Sequence, residues 1–187
     1  MSLRAKTCFF LAGAAIASAG PAFASDNPGA HQHGHAELQL AIEGEQIDLL
    51  FTSPAYNLLG FEHRARSDDQ KALVNDVTNW LGQTPLANTS EGGCTVMNAV
   101  VHHQAGGDDH GHSHGHDHDH PDESSHSDFE VTQTLSCPGL SSSQALATPI
   151  TTRFSGIEHL GVQWVWPEGQ GSARLGHGQS TFELRSR

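Results

Sequence analysis

A tract of alternating histidines holds the residues whose types and spacing could do chemistry. Histidine occupies every second position from His110 to His120, and only Gly, Ser and Asp lie between them. Imidazole is a common protein ligand for zinc, copper(II) and nickel(II), and the tract offers many overlapping sets of three or four donors. Because the spacers favour neither helix nor strand, we predict a disordered surface loop that binds several metal ions. The alternative is a solvated linker whose histidines have no function.

Further potential ligands lie beside the tract and in two other segments. His31, His33 and His35 are spaced by two, so an extended backbone would point the three rings to one side; a disordered tail is the alternative. Glu62 and His63 are adjacent in a predicted surface loop and would point apart. The full set of predicted metal ligands is His31, His33, His35, Glu62, His63, His103, His110, His112, His114, His116, His118, His120, His126 and Asp128. Zinc is the expected metal, although donor type barely separates it from copper or nickel.

Strands and helices must position these ligands. Apolar residues alternate over 38–42 and 47–51 and predict a β-hairpin. Ser67 and Gln70 have the spacing of a capping box, which predicts a helix from Ser67 to Leu81. Residues 140–154 are predicted to be helical with an interruption at Pro149, and strands are predicted over 160–166, 172–175 and 181–184.

Two predicted strands flank the histidine tract, at residues 94–102 and 128–137. A register in which paired residue numbers sum to 231 matches apolar with apolar and polar with polar residues. The resulting pairs are Cys94–Cys137, Val96–Leu135, Asn98–Gln133, Val100–Val131 and His102–Phe129. This register makes the tract the tip of a hairpin and puts His103 opposite Asp128, either as a ligand set or as an ordinary stem contact.

The first 24 residues have the pattern of a secretory signal peptide. Arg4 and Lys6 precede a short apolar segment, and Ala22-Phe23-Ala24 is a small-x-small cleavage site. Cleavage after Ala24 would give an exported, soluble, periplasmic chain, and no segment is apolar over a length that spans a bilayer. Cys94 and Cys137 would then remain in a compartment that permits a disulfide; zinc-binding thiolates are the minority alternative.

The charge and the motifs exclude several functions. Loss of Arg4 and Lys6 changes the formal net charge from −12 to −14, which argues against nucleic acid and anionic membrane as partners and favours cations. A nucleophile elbow, a phosphate-binding glycine loop, a dinucleotide fingerprint and the His-Glu-x-x-His motif are all absent from the sequence. We therefore expect no enzyme. The alternative is a zinc hydrolase with Glu62 as general base, which requires a pocket shared with His63 and His159.

Three features together resemble a known family. They are His-x-His-Gly-His before the first strand, Gly-Phe-Glu-His before the first helix, and a His/Asp loop between two cysteine-bearing strands. The chain resembles the ZrgA-like zinc-regulated periplasmic proteins. The resemblance implies a periplasmic zinc-binding protein that assists zinc acquisition beside an ABC-type importer, with the N-terminal histidines, Glu62, His63 and the loop histidines as ligands. Pro149, which interrupts the predicted second helix ahead of residues 154–159, departs from the family pattern.

These features predict one α+β domain. We expect a largely antiparallel sheet of six to seven strands packed with two helical segments, and a disordered His/Asp-rich loop at 104–127. The chain would divide into a signal peptide at 1–24, an arm at 25–36 and the domain at 37–187. The expected function is capture, buffering or handover of zinc, with one ordered site near the N-terminal histidines and His63. The histidine tract would be a reservoir of lower affinity. A copper or nickel tolerance protein is the alternative.

Overall fold

The computed structural model describes residues 32–90, 92–104, 127–140 and 145–184. The signal segment, His31 and the tract with His110 to His126 lie outside these ranges. Within them the elements are β1 (His35–Glu43), β2 (Gln46–Pro54), α1 (Ala55–Leu59), α2 (Asp68–Gln83), β3 (Asn88–Thr89), β4 (Thr95–Gln104), β5 (Asp128–Ser136), β6 (Ala145–Ala147), α3 (Ile150–Arg153), β7 (His159–Trp166), β8 (Gly169–Gly176) and β9 (Thr181–Glu183).

Six strands form the main sheet, in the order β4-β5-β2-β1-β7-β8. Adjacent strands in this sheet are antiparallel, except that β1 and β7 run parallel. A second sheet of three short strands has the order β3-β6-β9. The predicted α+β class with a largely antiparallel sheet is confirmed.

One face of the main sheet, called the inner face, is buried. Its side chains alternate along each strand, as at Leu38 and Leu40 of β1 and Phe129 and Val131 of β5, which are all at most 3% exposed. The helix α2 contributes the buried Val77 and Leu81 to the same core. The opposite face, called the outer face, carries polar side chains and is at least partly exposed along most of its length.

The helix α2 begins as the sequence predicts. The Gln70 amide N–H donates to Ser67 Oγ at 3.2 Å, and the Ser67 N–H donates back to Gln70 Oε1 at 3.3 Å. These two bonds satisfy backbone donors that a helix N-terminus leaves free. In the described ranges, none of the helices combines the length and the apolar character needed to cross a membrane.

The segment after the second cysteine differs from the prediction. Its described part contains the strand β6 and a single helical turn, α3, where an interrupted helix was expected. Leu146 is buried in the second sheet between Thr89 and Phe182. Pro149 has no N–H and cannot continue a helix from upstream, so the helical turn starts only after it. The Ile150 N–H donates to Thr148 Oγ1 at 3.3 Å.

The hairpin beside the tract keeps the predicted register only at its cysteine end. Cys94 and Cys137 form the predicted disulfide, and Val96 pairs with Leu135 as expected. The register then shifts by one residue, between Val96 and Asn98.

This shift makes the remaining predicted pairs wrong. Val100 pairs with Thr132, His102 with Glu130 and His103 with Phe129, while Asn98 pairs with Thr134. The physical reason is a β-bulge, which inserts one residue into β4 and moves every later side chain to the other face. The extra residue, Met97, is 68% exposed.

Candidate metal centre

His33 and Glu62 are brought together at the start of the main sheet. The distance from His33 Nε2 to Glu62 Oε1 is 2.8 Å. The His33 ring also stacks on Tyr56 of α1, with ring centroids 4.3 Å apart and an angle of 17°. Because the His33 side chain is 54% exposed and the Glu62 side chain 26% exposed, both groups remain reachable from solvent. The two groups are in direct hydrogen-bond contact, and an imidazole and a carboxylate are both types of side chain that bind zinc.

A turn at Gly34 separates the partners of His33 and His35. Gly34 has a φ of +81°, in the left-handed region that glycine adopts without steric cost, and the His35 N–H donates to the Gln32 carbonyl at 3.0 Å. The backbone is therefore not extended between His33 and His35, and the prediction that their rings point the same way is wrong. His33 meets Glu62, whereas His35 meets His159.

Asn57 of α1 fixes this turn to the fold. Its Oδ1 accepts a hydrogen bond from the Gly34 N–H at 2.8 Å, and its Nδ2 donates to the His35 carbonyl at 2.7 Å and to Ser53 Oγ at 3.2 Å. Asn57 is 3% exposed, so these bonds form away from water, where an unpaired amide would be costly. The arm enters the sheet in one defined position.

The strand β7 places His159 beside His35. The two residues are direct partners in the parallel pairing of β1 and β7, and their ring centroids are 5.1 Å apart with an angle of 59°. The N–H groups of Glu158 and His159 both donate to the Gly34 carbonyl at 2.9 Å. Gly34 is thus held by α1 on one side and by the start of β7 on the other.

The two Gly-x-Glu-His segments converge on this arm. The pattern occurs at residues 60–63 and again at residues 156–159. In the structure Glu62 of the first segment contacts His33, and His159 of the second contacts His35. Gly156 of the second segment also lies against α1, where a Cβ atom would be 2.5 Å from the Asn57 carbonyl oxygen.

His63 does not join Glu62 at His33. Its Nδ1 lies 3.0 Å from the Arg64 carbonyl oxygen, and its ring stacks on Phe61 with centroids 5.0 Å apart. Adjacent residues pointing to different partners agree with the expectation that Glu62 and His63 diverge. The hydrolase alternative requires both residues in one pocket with His159, whereas here each has a different neighbour.

His103 lies at the base of the tract on the inner side of the bulged strand. Its ring stacks on Phe129 with centroids 4.3 Å apart and an angle of 7°, and its Nε2 is 3.1 Å from Ser127 Oγ. Burial lowers the pKa of His103, because desolvation disfavours the charged imidazolium. The predicted placement opposite Asp128 is wrong, because the bulge puts Gln104 there. A cavity of about 600 Å³ adjoins these residues and is also lined by His102 and Glu130.

The described side chains bring candidate ligands together in pairs only. In the part of the chain that the structure describes, no three His, Cys, Asp or Glu side chains form a group that could hold a metal ion. Zinc takes four ligands in structural sites and three protein ligands plus water in catalytic sites. The predicted ligands that lie outside the described residues are His31, His110, His112, His114, His116, His118, His120 and His126.

Comparison with known proteins gives the family. A family model described as "ZrgA family zinc uptake protein" matches residues 30–184. The chain belongs to the ZrgA family. The matched range includes the arm from His31 onward, the contacts of His33 with Glu62 and of His35 with His159, the disulfide and the histidine tract, and the match supports a zinc-related role. A search of curated proteins found no match to the chain.

Sequence reasoning missed several residues that build the centre of this ZrgA-family chain. Tyr56 and Asn57 are not among the predicted site residues, and His159 is named only in the hydrolase alternative. The one available signal was the repeated Gly-x-Glu-His pattern, which marks the two segments that meet the arm.

Proposed function

We propose that this protein binds zinc in the periplasm and captures, buffers and hands over the ion during zinc uptake, without catalysing a reaction. Membership of a zinc uptake family supports the metal and the process. The observation that carries the proposal is the 2.8 Å contact between His33 and Glu62 on an arm held by Asn57. The signal-peptide pattern of residues 1–24 supports the compartment.

The tighter site is proposed at His33 and Glu62. His31, two residues before His33 in the sequence, and His63, next to Glu62 in the sequence, are the other predicted ligands proposed for this site. A site whose backbone is fixed by hydrogen bonds loses less conformational entropy on binding than one on a floppy segment. This difference would give the site at His33 the higher affinity.

The histidine tract is proposed as a reservoir of lower affinity. Its neutral imidazoles offer interchangeable sets of ligands, and the neighbouring aspartates can add oxygen ligands and offset the charge of the ion. His103, His126 and Asp128 lie at or near its base and belong to the same set. Protons compete with zinc for imidazole, so binding by the tract should be lost below about pH 6.

The recipient of the ion is proposed to be the zinc-binding protein of an ABC-type importer. The support is the family's role in zinc uptake. An open ligand position at a solvent-reachable site would let a second protein take over the ion by ligand exchange.

Deletion of residues 108–126 tests the division into two kinds of site. Ala105, Gly106 and Gly107 would remain to connect Gln104 with Ser127, which is long enough for a hairpin loop. Isothermal titration of the purified mature variant with zinc should show the loss of several equivalents and the retention of at least one tight site. Absence of any zinc binding after the deletion would contradict the ordered site.

The variant Glu62→Gln in the deleted chain tests the position of the tight site. Replacing a carboxylate ligand by an amide should weaken zinc binding about 10-fold or more. Glu168→Gln, in the exposed turn between β7 and β8, is the matched control and should keep the affinity of its parent. Equal affinities of the two variants would remove Glu62 from the site.

The metal is tested by elemental analysis of untagged protein purified from periplasm. Zinc should be the dominant bound metal. Predominance of copper or nickel would contradict the proposal.

A further inference from the structure

We infer that His35, His159 and Glu37 form a second zinc site, on the outer face of the main sheet. This inference rests on the proposed zinc-binding function, but it uses residues other than His33 and Glu62. It adds His159 and Glu37 to the ligands of this chain and gives Gly161 a role in placing one of them.

The strand register already places the two imidazoles side by side. His35 and His159 are partners on neighbouring strands, which lie about 4.8 Å apart. The residues that follow them, Ala36 and Leu160, are buried on the inner face, so both histidines belong to the outer face. Both are half-buried, and they remain reachable by an ion from solvent.

The distance between the rings suits a shared ion. A tetrahedral zinc with bonds of about 2.05 Å holds two ligand nitrogens about 3.3 Å apart. The ring centroids of His35 and His159 are 5.1 Å apart, and each nitrogen lies off its ring centre. Small rotations of the side chains therefore reach the required geometry without moving the backbone.

Glu37 supplies a carboxylate on the same face. It lies two residues after His35, and its side chain extends across β7 above Gly161, which itself lies two residues after His159. A Cβ atom at Gly161 would be 2.5 Å from Glu37 Oε2 and 2.7 Å from Oε1. Only glycine leaves room for the carboxylate in this position, so the sequence provides a gap beside His159 that Glu37 occupies.

Two imidazoles and one carboxylate leave one zinc position open. This ligand number is the one found in zinc sites that exchange water or another molecule at the fourth position. The three side chains must rotate to close around an ion, because the described residues contain no ready-made group of three ligands.

Zinc stoichiometry of the full mature chain tests the inference. After equilibrium dialysis at a fixed concentration of free Zn²⁺, His159→Gln should retain one zinc equivalent fewer than the wild type. Glu37→Gln keeps both rings and should weaken binding at this site about 10-fold. His102→Gln, on the outer face at the far edge strand, is the matched control and should retain the full number of ions. An equal loss in His102→Gln would show a nonspecific effect and contradict the site.

Imidazole signals in heteronuclear NMR give a second readout. Adding Zn²⁺ to the wild type should shift the signals of His35 and His159 at the same zinc-to-protein ratio, and Glu37→Gln should raise the ratio required. Unshifted signals at saturating zinc, or full stoichiometry in His159→Gln, would overturn the site. Circular dichroism melting of each variant checks that the fold is kept.

The outcomes separate this inference from the proposed function. If Glu62→Gln weakens the tight site and His159→Gln changes nothing, the second site alone is wrong. If His159→Gln loses an ion and Glu62→Gln has no effect, the site at His33 is wrong and the second site stands. If the wild type binds no zinc, the proposed function and the second site are both wrong.

Discussion

A single inserted residue decides which histidine at the base of the tract faces the core. The alternation of β4 before Met97 would turn His102 inward, but the bulge turns His103 inward instead, onto Phe129. Its stacked position excludes water from part of the ring, which is the cause of its lowered pKa. His102 stays exposed on the other face. One extra residue thus decides which of the two adjacent histidines is stacked in the core and which is exposed.

His103 should make the stability of the protein depend on pH. Its pKa is lowered below its ordinary value of 6.5 in the folded state, so the unfolded chain takes up the proton first as the pH falls. The contribution of neutral His103 is complete above pH 6.5 and is lost as the pH falls through the lowered pKa. Urea unfolding between pH 7.5 and pH 5 should therefore show a shallower loss of stability in His103→Gln than in the wild type.

The exposed neighbour provides the control for this experiment. His102→Gln, at an exposed position next to His103, shows whether the loss of any histidine at this point of β4 changes the slope. All variants are measured without zinc. If the stability of His103→Gln changes with pH as steeply as that of the wild type, burial of His103 is not the cause of the pH dependence.

Two elements far apart in sequence, α1 and the start of β7, hold the arm between them. Asn57 binds the backbone of Gly34 and His35 from one side, and the N–H groups of Glu158 and His159 bind Gly34 from the other. Gly156 allows these elements to approach, because a Cβ atom there would collide with the Asn57 backbone. The positions of both ligand pairs therefore depend on how closely α1 and β7 pack.

Substitution of Gly156 should loosen this packing. A Cβ atom 2.5 Å from a backbone oxygen cannot be accommodated by a side-chain rotation, so Gly156→Ala should lower the free energy of unfolding by about 1–3 kcal/mol. Denaturant titration measures the change, and zinc titration should show weaker binding at the tight site.

The matched control is an alanine substitution in α2. A Cβ atom at Gly82 would lie 3.8 Å from Val101 Cγ2, an ordinary van der Waals distance. Gly82→Ala should raise stability by up to about 1 kcal/mol, because alanine loses less backbone entropy in a helix. A Gly156→Ala variant as stable as the wild type would show that α1 and β7 pack less closely than the structure indicates.

At the scale of the whole molecule, the disulfide and the histidine tract lie at opposite ends of one hairpin. Cys94 and Cys137 are 43 residues apart and close the end next to β4 and β5, while the tract connects their other ends. Strands of nine and ten residues separate the two features by about 30 Å. The strand ends Gln104 and Asp128, which the tract connects in sequence, are therefore far from the bridge.

Removal of the disulfide should destabilise the domain strongly. Closure of a loop of this length contributes about 4 kcal/mol in the chain-entropy model, so Cys94→Ser with Cys137→Ser should lower the free energy of unfolding by about that amount. Deleting residues 108–126 shortens the loop but should reduce the contribution by only about 0.5 kcal/mol, because the dependence on length is logarithmic. Guanidinium unfolding of the full chain and of the deletion variant, each with and without the disulfide, measures the contribution of the disulfide in both. A loss under about 1 kcal/mol in the full chain would contradict the entropic account.

The sequence by itself determined the features that depend on neighbouring residues. Alternating apolar residues predicted the hairpin of β1 and β2, the spacing of Ser67 and Gln70 predicted the start of α2, and two cysteines in an exported chain predicted the disulfide. The motifs around the histidines were enough to indicate the ZrgA family. These signals are local, since hydrogen bonds and side-chain periodicity within an element are set by residues a few positions apart.

Only the tertiary structure decided where the ligands meet. The parallel pairing of β1 and β7 joins His35 with His159 across 124 positions, and Asn57 turns the arm so that His33 reaches Glu62. The bulge at Met97 reversed the face of every later residue in β4. Long-range strand pairing and bulges depend on how whole faces pack against each other, and the periodicity of one segment contains no information about its partner.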